Sequence, residues 1–248
     1  MSSPRQFRVP LRGAGGSAYP KLAAGLAEAS RTFYGRGWAL GTSGNFSAIL
    51  SRNPLRLIIT PSGVDKGTLT AEQLVVIDEN AKVVRGKALP STEALLHLTL
   101  ARVRGAGAVL HTHSVWGTVL SERFASKGGV SLAGYEMLKG LNGVNTHEHR
   151  EWLPIIENSQ DIAALARRVE ATLLYHPDSH GFLLSAHGLY TWGRDLTEAR
   201  RHLEILEFLL EALGRTYSTS AQFSDAASTW ERVAGLERVR ERKYDGYC

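Results

Sequence analysis

The spacing of apolar and polar residues changes repeatedly along the chain, which predicts alternating strands and helices. Short apolar runs bounded by Gly, Pro, Ser or Asn are typical of strands. They predict strands over Leu55–Thr60, 75–78, 82–84 and 152–158. Three further strands are predicted: one follows the loop 41–45, one carries His111 near its end, and one ends at His187.

Apolar residues spaced three and four positions apart predict helices between these strands. The helices are expected over Lys21–Tyr34, 91–104, Val115–Ser126, a segment after Ser159, Asp195 to about Leu213, and Ala226–Arg242. Several begin with a capping residue: Ser91 or Thr92, then Ser159, and Asp195, which forms a capping box with Glu198.

Interleaved strands and helices indicate the α/β class, a sheet covered by helices. The sequence contains no internal repeat and no linker between independent domains, so one folded domain is expected over residues 19–215. The Gly- and Ser-rich residues 1–18 are expected to form a flexible N-terminal segment, and residues 216–248 a helical C-terminal tail.

Composition narrows the class of protein further. Of 248 residues, 43% are hydrophobic, which is enough for a substantial core. The 29 basic and 24 acidic residues give a net charge of +5, and the basic residues are dispersed, which favours a phosphate-bearing small substrate over nucleic acid. The single cysteine, Cys248, excludes an intrachain disulfide and a thiolate metal cluster.

Signals for export or membrane insertion are also missing from the sequence. The N-terminal residues lack the apolar core of a signal peptide, and no apolar run approaches the ~18 residues of a membrane span. A cytoplasmic protein without membrane contact is therefore expected.

Three loops that follow strands share small hydroxyl residues: Gly41–Asn45, Thr60–Gly63 and Pro90–Glu93. Their hydroxyls and backbone N–H groups can point at an anion, and the third loop opens a helix whose N-terminus favours phosphate. Each loop alone is more often a plain turn, and none has a Walker or Rossmann glycine pattern. Three of them in one chain predict a compact phosphate pocket.

Two of the nine histidines, His111 and His113, stand one residue apart at the end of an apolar run. Residues i and i+2 of a strand share a face, so the two imidazoles would project together. With His187 they would supply the three imidazoles usual for a catalytic divalent ion; core histidines with satisfied hydrogen bonds are the alternative. The rival pair, His147 and His149, is expected to lie in a solvated loop.

Two glutamates are candidates for acid–base work. Glu93 stands at a helix start beside one phosphate loop, where a carboxylate can also serve only to stabilise the helix. Glu136 stands between aromatic and apolar neighbours, where partial desolvation would raise its pKa, as proton transfer requires. An exposed helix acid is the alternative for Glu136.

Five stretches together resemble the class II aldolase/adducin family. They are GTSGNFS (41–47), ITPSG (59–63), PSTEALLH (90–97), HTHS (111–114) and AHGLYTWG (186–193), in the family's order and spacing. The resemblance extends over roughly residues 20–215 and implies an α/β catalytic domain with a central, mainly antiparallel sheet flanked by helices. It also implies a homotetramer with active sites at subunit interfaces and a sugar-phosphate substrate.

The resemblance implies roles for particular residues. It implies one zinc ion per subunit, bound by His111, His113 and His187. It implies a phosphate site formed by Ser43, Gly44, Asn45, Ser62, Gly63, Ser91 and Thr92. In the family's aldolases the glutamate matching Glu93 is the acid–base residue, whereas in its dehydratases the glutamate matching Glu136 has that role.

These motifs are compatible with several functions. The stretches 136–141, 153–158 and 187–193 resemble the dehydratases of the family, which are lyases that remove water from a sugar phosphate. A sugar-phosphate aldolase or a pentulose-phosphate 4-epimerase would use the same metal and phosphate residues. A non-catalytic interaction module is the alternative from another class. Three imidazoles also leave iron, manganese and cobalt open as the working ion.

Overall fold

The fold is given by a computed structural model that describes residues 15–219. The strands are β1 (Asn45–Arg52), β2 (Leu55–Ile59), β3 (Val75–Asp78), β4 (Val83–Arg85), β5 (Ala108–Thr112), β6 (Gly129–Ala133), β7 (Arg150–Ile156), β8 (Gly181–Leu184) and β9 (Gly188–Gly193). The helices are α1 (Gly15–Gly35), α2 (Ala94–Val103), α3 (Val115–Arg123), α4 (Ile162–Tyr175) and α5, whose described part is 196–219.

The nine strands form one sheet in the order β4-β3-β2-β1-β5-β9-β8-β7-β6. Every neighbouring pair is antiparallel except β7 and β8, which run parallel. The predicted α/β class and mainly antiparallel sheet are therefore confirmed. Strand β5, which carries His111, is in the middle of the order, between β1 and β9.

Helices cover both faces of the sheet because the strand side chains alternate between two apolar clusters. In β5, Leu110 joins the cluster formed with α1 and α5, whereas Val109 joins the cluster formed with α2 and α4. Both residues are fully buried. Burial on both faces explains why β5 is a continuous apolar run rather than an alternating one.

Several predicted boundaries were wrong. Helix α4 is capped by the Asp161 carboxylate, which accepts a hydrogen bond from the Ala164 N–H, and not by Ser159. Helix α5 continues past Leu213 to at least residue 219. Its hydroxyl side chains there bond the carbonyls four residues earlier, as Thr216 does with Ala212, so these turn-forming residues remain compatible with helix.

The predicted chain ends fall partly outside the described residues. Helix α1 begins at Gly15, earlier than the predicted start at Lys21, and residues 1–14 lie outside the described range. The proposed boundary between domain and tail at 215/216 falls within α5, and the predicted helix Ala226–Arg242 lies outside the described residues. Within 15–219, no helix combines the length and apolar character needed to cross a bilayer.

Two histidines form hydrogen bonds with the backbone of Asn142, in the segment between β6 and β7 that also carries Glu136. The Asn142 N–H donates to His202 Nε2 at 3.1 Å, and the Asn142 carbonyl accepts from His180 Nε2 at 2.8 Å. His180 Nδ1 lies 2.9 Å from a carboxylate oxygen of the buried Glu151. Because both ring nitrogens of His180 face acceptors, both carry a proton and the ring is cationic.

The Glu151 carboxylate also accepts from His149 Nε2 at 3.0 Å. The prediction of a solvated loop was therefore wrong for His149, which is half-buried, whereas His147 is 58% exposed. Burial alone would raise the pKa of Glu151, but its bonds to His180 and the charge of that ring lower the pKa overall. Burial opposes the charge of His180, yet Glu151 raises its pKa overall, helped by Glu198 of α5.

We expect Glu151→Gln to destabilise the fold by about 3 kcal/mol near pH 6, since it leaves a buried imidazolium without its counter-charge. Because the pKa of His180 is raised on folding, its contribution to the free energy of unfolding is complete below pH 6.5, its ordinary pKa, and is lost as the pH rises through the pKa of the folded state. Because the pKa of Glu151 is lowered on folding, its contribution is complete above pH 4.5, its ordinary pKa, and is lost as the pH falls through the pKa of the folded state. Urea unfolding measured across this range should show the largest difference from wild type between pH 4.5 and 6.5.

The exposed Glu148 in the same segment offers the matched control, Glu148→Gln, which should unfold like wild type at every pH. His202 and His149 also face this cluster, and the centroids of the His180 and His202 rings lie 5.2 Å apart. A loss of stability in Glu151→Gln that stays constant from pH 5 to pH 9 would contradict the ion pair.

Candidate metal and phosphate site

Three histidines from two places in the sequence meet at one end of the sheet. His111 is in β5 and His113 directly follows that strand, while His187 lies in the turn that joins β8 to β9. The prediction that His187 ends a strand was wrong, because β8 ends at Leu184. A Cβ at Gly188 would collide with the Thr112 carbonyl oxygen, so glycine allows the backbone after His187 to approach the end of β5.

The Nε2 atoms of the three imidazoles converge on one point. They are separated by 2.8 Å between His111 and His113, 3.1 Å between His113 and His187, and 3.3 Å between His187 and His111. Three nitrogens bound at about 2.1 Å to one tetrahedral ion lie roughly 3.4 Å apart. The arrangement can therefore hold a single divalent ion with a fourth position open.

The protonation of the rings fits the same role. His111 Nδ1 donates to the Leu189 carbonyl at 3.0 Å, which leaves the lone pair of Nε2 free. Burial lowers the pKa of His113 to about 4, and it also lowers the pKa of His111 and His187. The rings are neutral at pH 7, as metal ligands must be.

Glu93 lies beside the three histidines. Its carboxylate oxygens are 3.5 Å from His111 Nε2 and 3.6 Å from His187 Nε2, and its side chain is 12% exposed. Glu93 occupies the N-cap position of α2, in place of the predicted Ser91 or Thr92, but its side chain makes no capping hydrogen bond. The carboxylate is therefore directed at the histidines and not used to stabilise the helix start.

Glu136 lies elsewhere in the chain, at the start of a short 3-10 helix, Glu136–Gly140. Its side chain is 72% exposed, with Lys139 Nζ at 2.6 Å and His147 Nδ1 at 3.8 Å. The expectation of a desolvated carboxylate with a raised pKa was wrong for the isolated chain. The carboxylate is exposed, and its hydrogen bond to the Lys139 ammonium lowers the pKa of Glu136. Within the described residues, Glu136 makes no hydrogen bond or ion pair with the three histidines of the site.

The three loops predicted to bind phosphate do come together. Pro61 and Pro90 pair across two of the loops, and the Ser62 N–H donates to the Leu89 carbonyl at 3.0 Å. The loop Gly41–Asn45 is connected to the residue that follows the loop Thr60–Gly63 by Lys66, whose Nζ donates to the carbonyls of Thr42 and Val64 at 2.9 Å each.

The predicted phosphate residues differ in their exposure. Ser62, Gly63 and Thr92 are exposed and Ser43 and Ser91 are half-buried, so these five can reach a ligand. Gly44 and Asn45 are buried. A Cβ at Gly44 would lie 2.8 Å from the His111 carbonyl oxygen, and the backbone there has a φ of 72°, so glycine is required by packing and by conformation. The Asn45 amide bonds Glu93 (2.7 Å), which removes one of its donors from phosphate binding.

Sequence reasoning missed two residues of the site. Lys66 is 1% exposed and lies between loops predicted to bind phosphate, and burial lowers its pKa to about 8 although Asp65 opposes this. Tyr190 stacks on His111 with ring centroids 3.8 Å apart, and burial, with the nearby Glu93 carboxylate, raises the pKa of its hydroxyl well above the usual value. The lysine follows the TPSG loop by three residues, but only the folded chain turns it back between the loops.

Comparison with known proteins places this site in a family. The family model of the class II aldolase and adducin N-terminal domain matches residues 24–213. The chain therefore belongs to the class II aldolase/adducin family. The class II aldolases are metal-dependent, and this chain has a three-histidine group that can hold an ion.

Individual relatives narrow the comparison. The methylthioribulose-1-phosphate dehydratase of Sorangium cellulosum (strain So ce56) is 44% identical over 205 residues, which cover 82% of this chain and 96% of the relative. The crystal structure of YgbL from Escherichia coli has a TM-score of 0.64 and 26% identity, covering 79% of this chain and 89% of that one. L-fuculose-1-phosphate aldolase from Thermus thermophilus shares the fold, with a TM-score of 0.64 at 22% identity over 81% of this chain and 98% of that chain.

Proposed function

We propose that this protein is a zinc-dependent hydro-lyase that dehydrates 5-methylthioribulose 1-phosphate to 2,3-diketo-5-methylthiopentyl 1-phosphate in methionine salvage. The convergence of three neutral imidazoles beside loops suited to phosphate carries the proposal. The choice of reaction rests on the relative that is 44% identical over 205 residues, 82% of this chain, and named for this dehydration.

The site residues divide into two groups. His111, His113 and His187 hold one zinc ion, which when bound polarises a substrate carbonyl and stabilises developing negative charge. The phosphate is bound by the loops that contain Ser43, Gly44, Asn45, Ser62, Gly63, Ser91 and Thr92, with Lys66 as a nearby cation.

The protein's carboxylates carry the proton transfers. A glutamate removes the C3 proton, which is acidic because C3 is next to the C2 carbonyl. The electron pair left on C3 forms the C3–C4 double bond as the C4 hydroxyl departs, and the protonated glutamate supplies the proton that makes it water. The resulting enol gains a proton at C4 and loses one from the C3 hydroxyl, which gives the 2,3-diketone.

Glu136 is assigned to this transfer, and a homotetramer explains how it acts. Within the described residues, Glu136 has no bond to the three metal histidines of its own chain, and a carboxylate that is 72% exposed is free to enter the site of a neighbouring subunit. Burial at such an interface would also raise the pKa of Glu136 toward the value that a general base needs.

The test is the product formed from methylthioribulose 1-phosphate by zinc-loaded protein, followed by NMR. We expect a diketone and the loss of one water molecule. Release of an aldehyde fragment would instead identify an aldolase, and binding of zinc without turnover would reject the substrate while keeping the metal site. A protein that binds no metal would favour the non-catalytic interaction module.

A second candidate function is a sugar-phosphate aldolase or pentulose-phosphate 4-epimerase. The position of Glu93 favours it, since this carboxylate lies 3.5 and 3.6 Å from two of the imidazole nitrogens, where the acid–base glutamate of such an enzyme is expected. These enzymes break the C3–C4 bond, so the product distinguishes them from the dehydratase.

A further inference from the structure

Behind Glu93, three buried polar side chains form a continuous series of hydrogen bonds. Ser47 Oγ lies 2.7 Å from His97 Nδ1, His97 Nε2 bonds Asn45 Oδ1, and Asn45 Nδ2 lies 2.7 Å from Glu93 Oε2. Ser47 and His97 are 0% exposed and Asn45 is 5% exposed. The series ends on the carboxylate that faces the metal histidines, so it links the core to the site.

The direction of these bonds follows from the chemistry of each group. An amide oxygen only accepts, so His97 Nε2 carries a proton and donates to Asn45. His97 is neutral, because burial lowers its pKa to about 3, and its Nδ1 must therefore accept from the Ser47 hydroxyl. Every donor points toward Glu93, and the reversed Asn45 amide would set its oxygen against the carboxylate.

Local structure brings the four residues together. Asn45 and Ser47 are two apart in β1 and share a face of the sheet. Glu93 and His97 are four apart at the start of α2, so they lie on one face of the helix, one turn from each other. The relay, defined as Ser47, His97 and Asn45, is thus built from one strand and one helix turn.

We infer that His97 is a positioning residue that orients the Glu93 carboxylate against the metal histidines by fixing the Asn45 amide. The inference rests on the proposed catalytic site but holds for either reaction, because Glu93 lies 3.5 and 3.6 Å from two of the proposed metal-binding nitrogens whichever reaction the site performs. It also gives Asn45 a role toward Glu93 in addition to its proposed role toward phosphate.

Replacing His97 by leucine removes the donor to Asn45, and we expect kcat to fall by roughly 10–100-fold with little change in KM. His97→Gln places an amide donor near the position of Nε2 and should recover most of the activity. On a Glu93→Gln background, His97→Leu should cause no further loss, since the two residues act as one unit. The matched control is Thr99→Val, which changes a buried hydroxyl on the same helix outside the relay.

Activity is measured with whichever substrate is turned over, and a second readout needs no activity at all. Nitrogen-15 NMR of the metal-free protein reports the tautomer of His97, which we expect to carry its proton on Nε2. Ser47→Ala should shift the Nδ1 resonance. Observation of the Nδ1–H tautomer, or equal losses of activity in His97→Gln and His97→Leu, would overturn the inference even if the protein proved to be a dehydratase.

Discussion

His113→Ala is expected to abolish metal binding and activity together while the protein stays folded. Two imidazoles remain, which is one ligand short of a catalytic site of this type, so kcat/KM should fall by at least about 10³-fold. His113 follows β5 and is half-buried, so its removal leaves the packed strand intact. The metal content of the purified protein, measured by elemental analysis, should fall from about one ion per chain to nearly none.

The matched control for this variant is His147→Ala, which removes an exposed histidine that is not one of the three proposed metal ligands. It should keep the metal content of wild type. Full metal content in His113→Ala, measured on protein whose circular dichroism matches wild type, would contradict the three-histidine site. Circular dichroism is needed because a misfolded variant would also lose metal.

The elements of the fold could be predicted from the sequence where side-chain spacing alone decides them. Buried Leu165 and Val169 repeat at four residues along α4, and the apolar run of β2 ends within one residue of its predicted end. Their order in the sheet could not be read in the same way. Chain neighbours β4 and β5 lie four places apart in the sheet, because pairing depends on contacts between distant segments.

The residues of the candidate site also include some that the sequence could predict and some that it could not. The pair His111 and His113 was predictable, because an i, i+2 spacing on a strand fixes the direction of both side chains. The part played by Glu93 was not, because a carboxylate at a helix start has two uses, and only the contact with Asn45 and the histidines separates them. His97 gave no signal that set it apart from an ordinary core histidine until its partners were known.

Replacement of Glu136, one of the two candidate acid–base glutamates, is expected to cause the second large loss of activity. Glu136→Gln keeps the size of the side chain but removes its basicity, so we expect kcat to fall by about 10²- to 10⁴-fold with metal content unchanged. Steady-state rates with zinc-loaded protein measure this directly. The exposed Glu148→Gln, in the same segment, should retain wild-type rates. If Glu93 alone carried the proton transfers, Glu136→Gln would retain most of its activity.

Mixing two inactive variants determines whether Glu136 serves a neighbouring subunit. His113→Ala lacks the metal site but keeps Glu136, and Glu136→Gln has the reverse defect. If each site takes its histidines from one chain and its glutamate from another, random reassembly gives ~25% intact sites, since each of the two chains must be the suitable variant. If Glu136 acts within its own chain, no site in the mixture is complete and activity stays absent. Recovery would also explain why a catalytic carboxylate is solvent-exposed and paired with Lys139 in the single chain, since its working environment is supplied by the next subunit.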